Sequence, residues 1–178
     1  MQQPHKYARL ERERRFLVDR FPSGDLVRTR RITDRYIDGT LLRLREQTDK
    51  GDGAIFKLTQ KIPAVANGAQ QGLITTIYLT EDEFRLLSQL PGKMLNKVRY
   101  SVPPLGVDVF EGTLAGLRLA EAEFNSAEEA DAFVPPDFIL REVTGDMRFT
   151  GGRLVCASRL SVAKWLAEYG ITLYEPRQ

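Results

Sequence analysis

One cysteine, one histidine and one tryptophan in 178 residues leave little material for several common kinds of site chemistry. Cys156, being alone, excludes an internal disulfide and a cysteine-cluster metal site, and it fits a reducing compartment. No histidine is placed to activate it, so Cys156 reads as a packing residue rather than a nucleophile. His5 precedes the first predicted strand and reads as an exposed terminal residue, leaving no histidine positioned as a general base. No apolar run approaches the ~20 residues needed to span a bilayer. The opening MQQPHKYARLERERR carries no apolar signal core. The expected location is the cytoplasm, with no membrane partner. Repeats, low-complexity tracts and Pro/Ser-rich linkers are missing too. With 42 % hydrophobic and 28 % charged residues the mix is that of an ordinary globular chain, so residues 1–178 are expected to form one domain.

Net charge is also small, at +2, but it is unevenly spread. Residues 1–61 hold 15 of the 26 Lys/Arg and only 9 of the 24 Asp/Glu, so the first third is basic and the remainder acidic. Such a division could meet an anion on one side and hold a cation on the other, although solvated faces also vary in sign.

The dominant period along the chain is two. Strands are predicted near 7–18, 27–36, 40–47, 54–62, 73–79, 94–102, 106–113 and 115–124. Turn signals separate several of them: Phe21-Pro22-Ser23-Gly24, Asp38-Gly39, Gly51-Asp52-Gly53, Pro91-Gly92 and Pro103-Pro104. Thr80 with Glu83, and Ser126 with Glu129, have capping-box spacing and start two short helices. A third helix is predicted from about Ser158 to Tyr169, stopped by Gly170. Ser158 and Ser161 then read as cap or surface residues, and Trp165 as part of that helix's packing rather than a platform for a base. The fold class is α+β and β-dominated: an eight-stranded antiparallel closed barrel with flanking helices.

In a strand, residues i, i+2 and i+4 share a face. The first strand thereby groups Glu11, Glu13 and Arg15, and the third groups Arg43 and Arg45. The fourth groups Lys57, Thr59 and Lys61, the sixth Lys97, Arg99 and Ser101, and the eighth Glu121 and Glu123. Asp108 lies between Val107 and Val109 on the strand just before. Each strand alone could be the wet face of an antiparallel sheet. A wet face mixes signs, however, whereas carboxylates gather on the first, seventh and eighth strands and cations on the third, fourth and sixth. Clustered carboxylates repel unless a cation lies between them, and hard divalent cations bind oxygen-only donor sets. Clustered cations equally call for a polyanion. A metal–polyphosphate complex between the two groups accounts for both. A nucleic-acid partner is not expected, because no aromatic residues interleave the basic ones as a stacking surface would require.

Glu11-Arg12-Glu13-Arg14-Arg15 resembles the opening E-x-E-x-K signature of the CYTH superfamily, the triphosphate tunnel metalloenzymes, with Arg15 in the lysine position. Leu42-Arg43-Leu44-Arg45, Leu58-Thr59-Gln60-Lys61, Lys97-Val98-Arg99-Tyr100, Val107-Asp108, Leu119-Ala120-Glu121-Ala122-Glu123 and Glu142-Val143-Thr144-Gly145-Asp146 follow in the family's order, over roughly residues 9–150. The resemblance implies a barrel tunnel with helices packed outside. It implies that Glu11, Glu13, Asp108, Glu121 and Glu123 face Mg²⁺ or Mn²⁺, with Glu11, Glu13, Glu121 and Glu123 serving catalysis. It also implies that Arg15, Arg43, Arg45, Lys61, Lys97 and Arg99 bind phosphate oxygens, to which the facing of Lys57 adds a seventh cation. The activity implied is metal-dependent hydrolysis of tripolyphosphate or another small-molecule triphosphate. Cyclisation of ATP to cyclic AMP and pyrophosphate, as in the class IV adenylate cyclases, and non-catalytic polyphosphate or nucleotide binding are the alternatives. A homodimer is left open. Many members carry a further E-x-E pair where this chain has Ile74-Thr75-Thr76-Ile77-Tyr78. Thr75 and Ile77 are the positions expected to face inward there. Glu142 and Asp146 read equally as a turn or as part of the tunnel mouth.

Overall fold

The structure, a computed structural model, describes residues 6–18, 26–49, 51, 53–64 and 70–174; His5, the turn at 21–24 and Asp52 lie outside the described residues. Alternating apolar and polar residues between turn signals form β1 (Arg9–Val18), β2 (Arg28–Ile37), β3 (Leu42–Asp49), β4 (Ala54–Pro63), β5 (Gln70–Leu79), β6 (Gly92–Val102), β7 (Leu105–Phe110) and β8 (Arg118–Glu123). They hydrogen-bond in the order β5-β4-β3-β2-β6-β7-β8-β1, and β1 pairs back onto β5, closing an eight-stranded antiparallel barrel. β7 ends earlier than its alternation predicts because Gly112–Leu114 form a 3₁₀ turn, and β8 starts later because a turn at Ala115–Gly116, with Gly116 at φ +97°, follows it. A short ninth strand, β9 (Ile139–Glu142), was not predicted, since four residues are too few to display a period. It takes the edge of β1 that β5 leaves: β5 pairs with Arg9–Arg12, and β9 with Phe16–Val18.

β5 leaves that edge at a bulge between Glu11 and Arg12, opposite Gly72. Gly72 has φ +133°, and a Cβ there would press into the Ile62 carbonyl and lie 2.7 Å from the Ala64 nitrogen. Gly72→Ala therefore combines backbone strain with a backbone collision and should cost about 2–4 kcal/mol. For a domain of this size that lowers Tm by roughly 5–15 °C. A melting curve superimposable on wild type would show that the crossing relaxes instead.

The facing of β5 differs from expectation. Lys61 is opposite Ile74, Thr59 opposite Thr76 and Lys57 opposite Tyr78, so the even positions share the inner face of β4. Thr59 and Thr76 join their hydroxyls at 3.0 Å, while Ile77 is half exposed on the outside. Thr75 and Ile77 are thus outward. The β4–β5 register decides this, and the strand's own sequence could not, because both of its faces carry threonine and an aliphatic residue.

α1 (Glu81–Leu87) has the predicted Thr80/Glu83 capping box and stacks Phe84 on Phe56 of β4, with ring centroids 4.5 Å apart. α2 (Ala127–Ala132) is capped by Ser126, but Glu129 turns to the Asn125 backbone rather than to the cap. Above β1, β7 and β8, an outer cluster of Phe16, Val18, Leu105, Val107, Ala120 and Ala122 is covered by Phe124, Phe133 and Phe138. The second cluster lies on the inner face. Leu17, Leu95, Phe110 and Leu119 continue the inward rows of Arg15, Lys97, Asp108 and Glu121, and they pack against Phe149, Leu154, Val162 and Leu166. The last three come from α3 (Gly151–Leu154) and α4 (Arg159–Ala167). The C-terminal segment therefore covers one end of the barrel instead of lying wholly outside it. Trp165 packs edge-on to Phe149, α4 is capped by Ser158, and Gly170 follows the helix with φ +71°. Cys156 is exposed rather than packed, and Lys93 Nζ donates to its sulfur at 3.3 Å. No helix among the described residues is long and apolar enough to cross a membrane.

Candidate functional site

The inner face encloses a cavity of about 350 Å³, within the range of small-molecule sites. Its wall carries the guanidinium or ammonium groups of Arg15, Arg43, Arg45, Lys61, Lys97 and Arg99, together with the carboxylates of Glu11, Glu13, Glu121 and Glu123. The register explains the convergence. β1 and β8 set Glu13 opposite Glu123 and Arg15 opposite Glu121, while β2 and β3 set Tyr36 opposite Arg43 and Asp34 opposite Arg45. One mouth is edged by Thr40–Leu42, Ile62–Ala64 and a loop containing Thr144, Gly145 and Met147. That loop is tied to β1: Val143 N donates to the Arg15 carbonyl at 2.7 Å, and Arg15 N donates to Thr144 Oγ1 at 3.0 Å.

Two buried aspartates hold four of the six cations. Asp34, with no exposed surface, accepts from Arg45 Nε at 2.6 Å and Arg45 Nη2 at 2.8 Å, and it faces Arg43 Nε at 3.5 Å. Burial alone would raise its pKa, but Arg45 and Arg43 hold the carboxyl well below the usual carboxylate range. Asp108 accepts from Arg99 Nε at 2.6 Å and Arg99 Nη2 at 2.7 Å, and also from Lys97 Nζ. Burial pulls the Lys97 ammonium down despite Asp108, whereas Asp108 and Glu121 outweigh burial and hold Arg99 well above its ordinary value. Gly106 is part of this arrangement. It sits opposite both Ser101 and Glu121, and a Cβ there would come within 3.3 Å of Arg99 Cδ. The missing side chain lets Arg99 lie across β7 to reach Glu121, to which Nη2 donates.

Three of the four carboxylates on the wall, Glu11, Glu13 and Glu121, are matched to cations. Lys61 Nζ on β4 donates to both Glu11 oxygens on β1, at 2.7 and 2.9 Å. Arg15 donates to Glu13 and stands 3.6 Å from Glu121. Signs that separate strand by strand in the sequence thus meet as pairs in the interior. Glu13 is incompletely compensated: burial and the Glu121 charge raise its pKa against Lys61 and Arg15. Glu121 is held far below the usual range, because Arg99, Lys97 and Arg15 overcome its burial. The wall's donor set for a metal is thus four carboxylates on the paired strands β1 and β8, the oxygen-only chemistry that suits Mg²⁺ or Mn²⁺. Among the described residues no three acidic side chains converge on one point; Glu11, Glu13 and Glu121 are each drawn toward a cation instead.

Two residues predicted for the site are not on the cavity wall. Asp108 faces inward but lies beneath Lys97 and Arg99 as their counter-charge. Lys57 is opposite Arg45 yet extends over the Tyr78 ring, 5.2 Å from its centroid. Of the turn residues, Glu142 accepts both Nε and Nη2 of Arg14, and Asp146 accepts from Arg148 and from the Tyr169 hydroxyl. Both are structural contacts beside the mouth. Sequence reasoning missed Asp34, Tyr36 and the segment Thr150–Gly152, which also line or support the cavity. Alternation on β2 was the available signal for the first two. Tyr36 is a protonated donor, since burial and Asp34 push its phenol up to about 12.

No family model matches the chain. It is 36 % identical over 149 residues to a protein of Nitrosomonas europaea named inorganic triphosphatase, a similarity that covers 78 % of this chain and 92 % of that protein. The crystal structure of the inorganic triphosphatase NE1496 superposes with a TM-score of 0.55 and 29 % identity, over 83 % of this chain and 95 % of that one. The PH1819 protein from Pyrococcus horikoshii OT3 shares the fold, with a TM-score of 0.52 at 19 % identity over 94 % of each chain.

Proposed function

We infer the function of this chain from its family: it belongs to that of the Nitrosomonas europaea inorganic triphosphatase. It is a hydrolase that cleaves a phosphoanhydride bond of tripolyphosphate or a related triphosphate in the barrel cavity. The observation that carries this is the wall itself, six cations and four carboxylates around about 350 Å³. We also read the chain as a member of the CYTH superfamily, supported by the E-x-E start of β1, the inward Arg/Lys rows and the closed barrel.

Arg15, Arg43, Arg45, Lys61, Lys97 and Arg99 would bind phosphate oxygens, Arg by bidentate donation and Lys as a point charge. Glu11, Glu13, Glu121 and Glu123 would hold Mg²⁺ or Mn²⁺, with Asp108 contributing by fixing Lys97 and Arg99. A bound divalent ion neutralises phosphate charge and lowers the pKa of water for attack on phosphorus. The protein's own part is positioning. Asp34 and Asp108 fix four cations before substrate arrives, so little reorganisation accompanies the charge that develops on the leaving phosphate. Tyr36 offers a neutral hydroxyl donor on the same wall. Cyclisation would require a nucleobase pocket, and among the described lining residues Tyr36 is the only aromatic ring.

Incubation with tripolyphosphate, pyrophosphate, ATP and GTP, each with Mg²⁺, Mn²⁺ or chelator, tests the reading. Phosphate and pyrophosphate should appear from tripolyphosphate only when metal is present. Tripolyphosphate should also raise Tm more with metal than without it, since metal and phosphates complete each other's coordination. An equal rise in both conditions would overturn the carboxylate assignment. Tight binding without release from any triphosphate would make the chain a binding module.

A further inference from the structure

Lys61 differs from the other cations of the wall in what holds it. Arg43 and Arg45 rest on Asp34, and Lys97 and Arg99 on Asp108, both of them buried aspartates. Arg15, with almost no side-chain exposure, lies against Glu13 and Glu121. Lys61 has no aspartate beneath it. Among the described residues its ion pair is with Glu11, to whose two oxygens Nζ donates at 2.7 and 2.9 Å. The contact spans a strand, because β5 separates β4 from β1, and the β5 residue opposite Glu11 is Gly72, which has no side chain to interpose. The ammonium also acts beyond Glu11. Burial and Glu121 push the Glu13 carboxyl up, and Lys61 opposes them more strongly than Arg15, the residue bonded to Glu13. At Glu121 burial is overcome by Arg99, Lys97 and Arg15, with Lys61 adding to them. Neighbouring carboxylates call for a cation among them. Here the chain supplies one on a flexible stem, with 38 % of the side chain exposed, and it serves three of the four carboxylates on the wall.

We propose that Lys61 is a tethered stand-in for the divalent ion: it neutralises Glu11, Glu13 and Glu121 in the free protein, yields Glu11 to the metal, and then turns to a substrate phosphate. The proposal rests on the triphosphatase reading of the cavity. Lys61 holds Glu11 against metal alone, but gives it up to a metal–triphosphate complex, whose phosphate it binds in exchange. Metal and triphosphate are thereby coupled through one side chain, and each favours the binding of the other.

Calorimetry with Mn²⁺, in the absence of any phosphate, tests this on the intact chain. Lys61→Met should bind Mn²⁺ about ten-fold tighter or more than wild type, the scale of one charge-assisted contact that no longer competes. Lys61→Arg should not tighten binding, because it keeps both charge and pairing. Arg43→Gln removes a cation of the same wall that faces Asp34 instead, and it should change the Mn²⁺ affinity much less. Thermal melting gives a second measurement: Lys61→Met should melt lower than wild type without metal, and Mn²⁺ should raise its Tm by more. Unchanged Mn²⁺ affinity in Lys61→Met overturns the proposal. So does an equal gain in Arg43→Gln, which would be the general charge of the wall. Should Lys61→Met not fold, NMR of wild-type protein labelled at its lysine nitrogens decides. Mg²⁺ alone, at rising concentration, should move the Lys61 ammonium resonance and leave that of Lys97, which Asp108 holds; a Lys61 resonance that Mg²⁺ does not move overturns the proposal. Phosphate release from tripolyphosphate with Mg²⁺ is followed in parallel. Release without any effect of Lys61 on metal binding sinks only the stand-in role, whereas no release and no metal binding in any variant sinks the triphosphatase reading itself.

Discussion

Replacing Asp34 by Asn should lower the unfolding free energy by about 3–5 kcal/mol, the cost of removing one partner from a buried charge pair. The substitution keeps shape and volume, so it creates no cavity. Its effect comes from the cations left behind. Arg45 donates two hydrogen bonds to Asp34 and, among the described residues, has no other carboxylate contact, and there Arg43 keeps only its contact with Tyr36. For a domain of this size the expected fall in Tm is roughly 6–20 °C. The acid dependence supplies a signature that a packing defect would not. The folded-state carboxyl of Asp34 is depressed, so its contribution is complete above the unfolded-state value of about 3.9 and is lost as pH falls below it toward the folded value. Denaturation curves of wild type and Asp34→Asn should therefore lie far apart at pH 6–7 and approach one another below about pH 4. A gap independent of pH would show that Asp34 acts by shape rather than charge.

Period and charge sign made the barrel and the inward rows legible in the sequence, since Arg43/Arg45, Lys97/Arg99 and Glu121/Glu123 alternate with apolar neighbours that must be covered. Pairing across the barrel was not legible. That Lys61 meets Glu11 from β4 to β1, or that Arg99 crosses Gly106 to Glu121, depends on registers between strands, which no single strand's own sequence carries. Asp34 was hidden for a related reason: as the one acid in the basic run Arg28–Arg35 it resembles a surface compensation, and only closure of the barrel buries it. On β5 the two faces have nearly the same composition, so facing was decided by the partner strand rather than locally. The mouth residues Thr144–Met147 and Thr150–Gly152 belong to loops and a single helical turn, which have no period to read. Asp108 shows the remaining gap: its inward facing followed from Val107 and Val109, but its service to Lys97 and Arg99 required the third dimension.

Glu121→Gln should cost about 10²–10³ in kcat while changing KM for tripolyphosphate much less. Glu121 lies on the wall between Arg99 and Arg15, and four nearby cations keep it ionised despite burial. In the triphosphatase reading that charge helps hold the divalent ion, whose neutralising effect grows as charge shifts to the leaving phosphate. An interaction made mainly in the transition state appears in kcat rather than KM, and loss of one such preorganised group has the stated scale. The amide keeps the volume of the acid. Arg99 remains bound by Asp108 through two hydrogen bonds, so the stability loss should be well below that of Asp34→Asn. Arg45→Ala provides the opposite profile. In the same reading it removes a guanidinium that binds phosphate, should raise KM by about ten-fold or more, and leaves Glu121 in place. Steady-state rates at several Mg²⁺ concentrations separate the two, because excess metal should recover part of the Glu121→Gln loss and none of the Arg45→Ala loss. If Glu121→Gln instead raises KM at an unchanged kcat, whatever the metal concentration, then Glu121 serves only to orient Arg99 and Arg15 and takes no part in holding the ion.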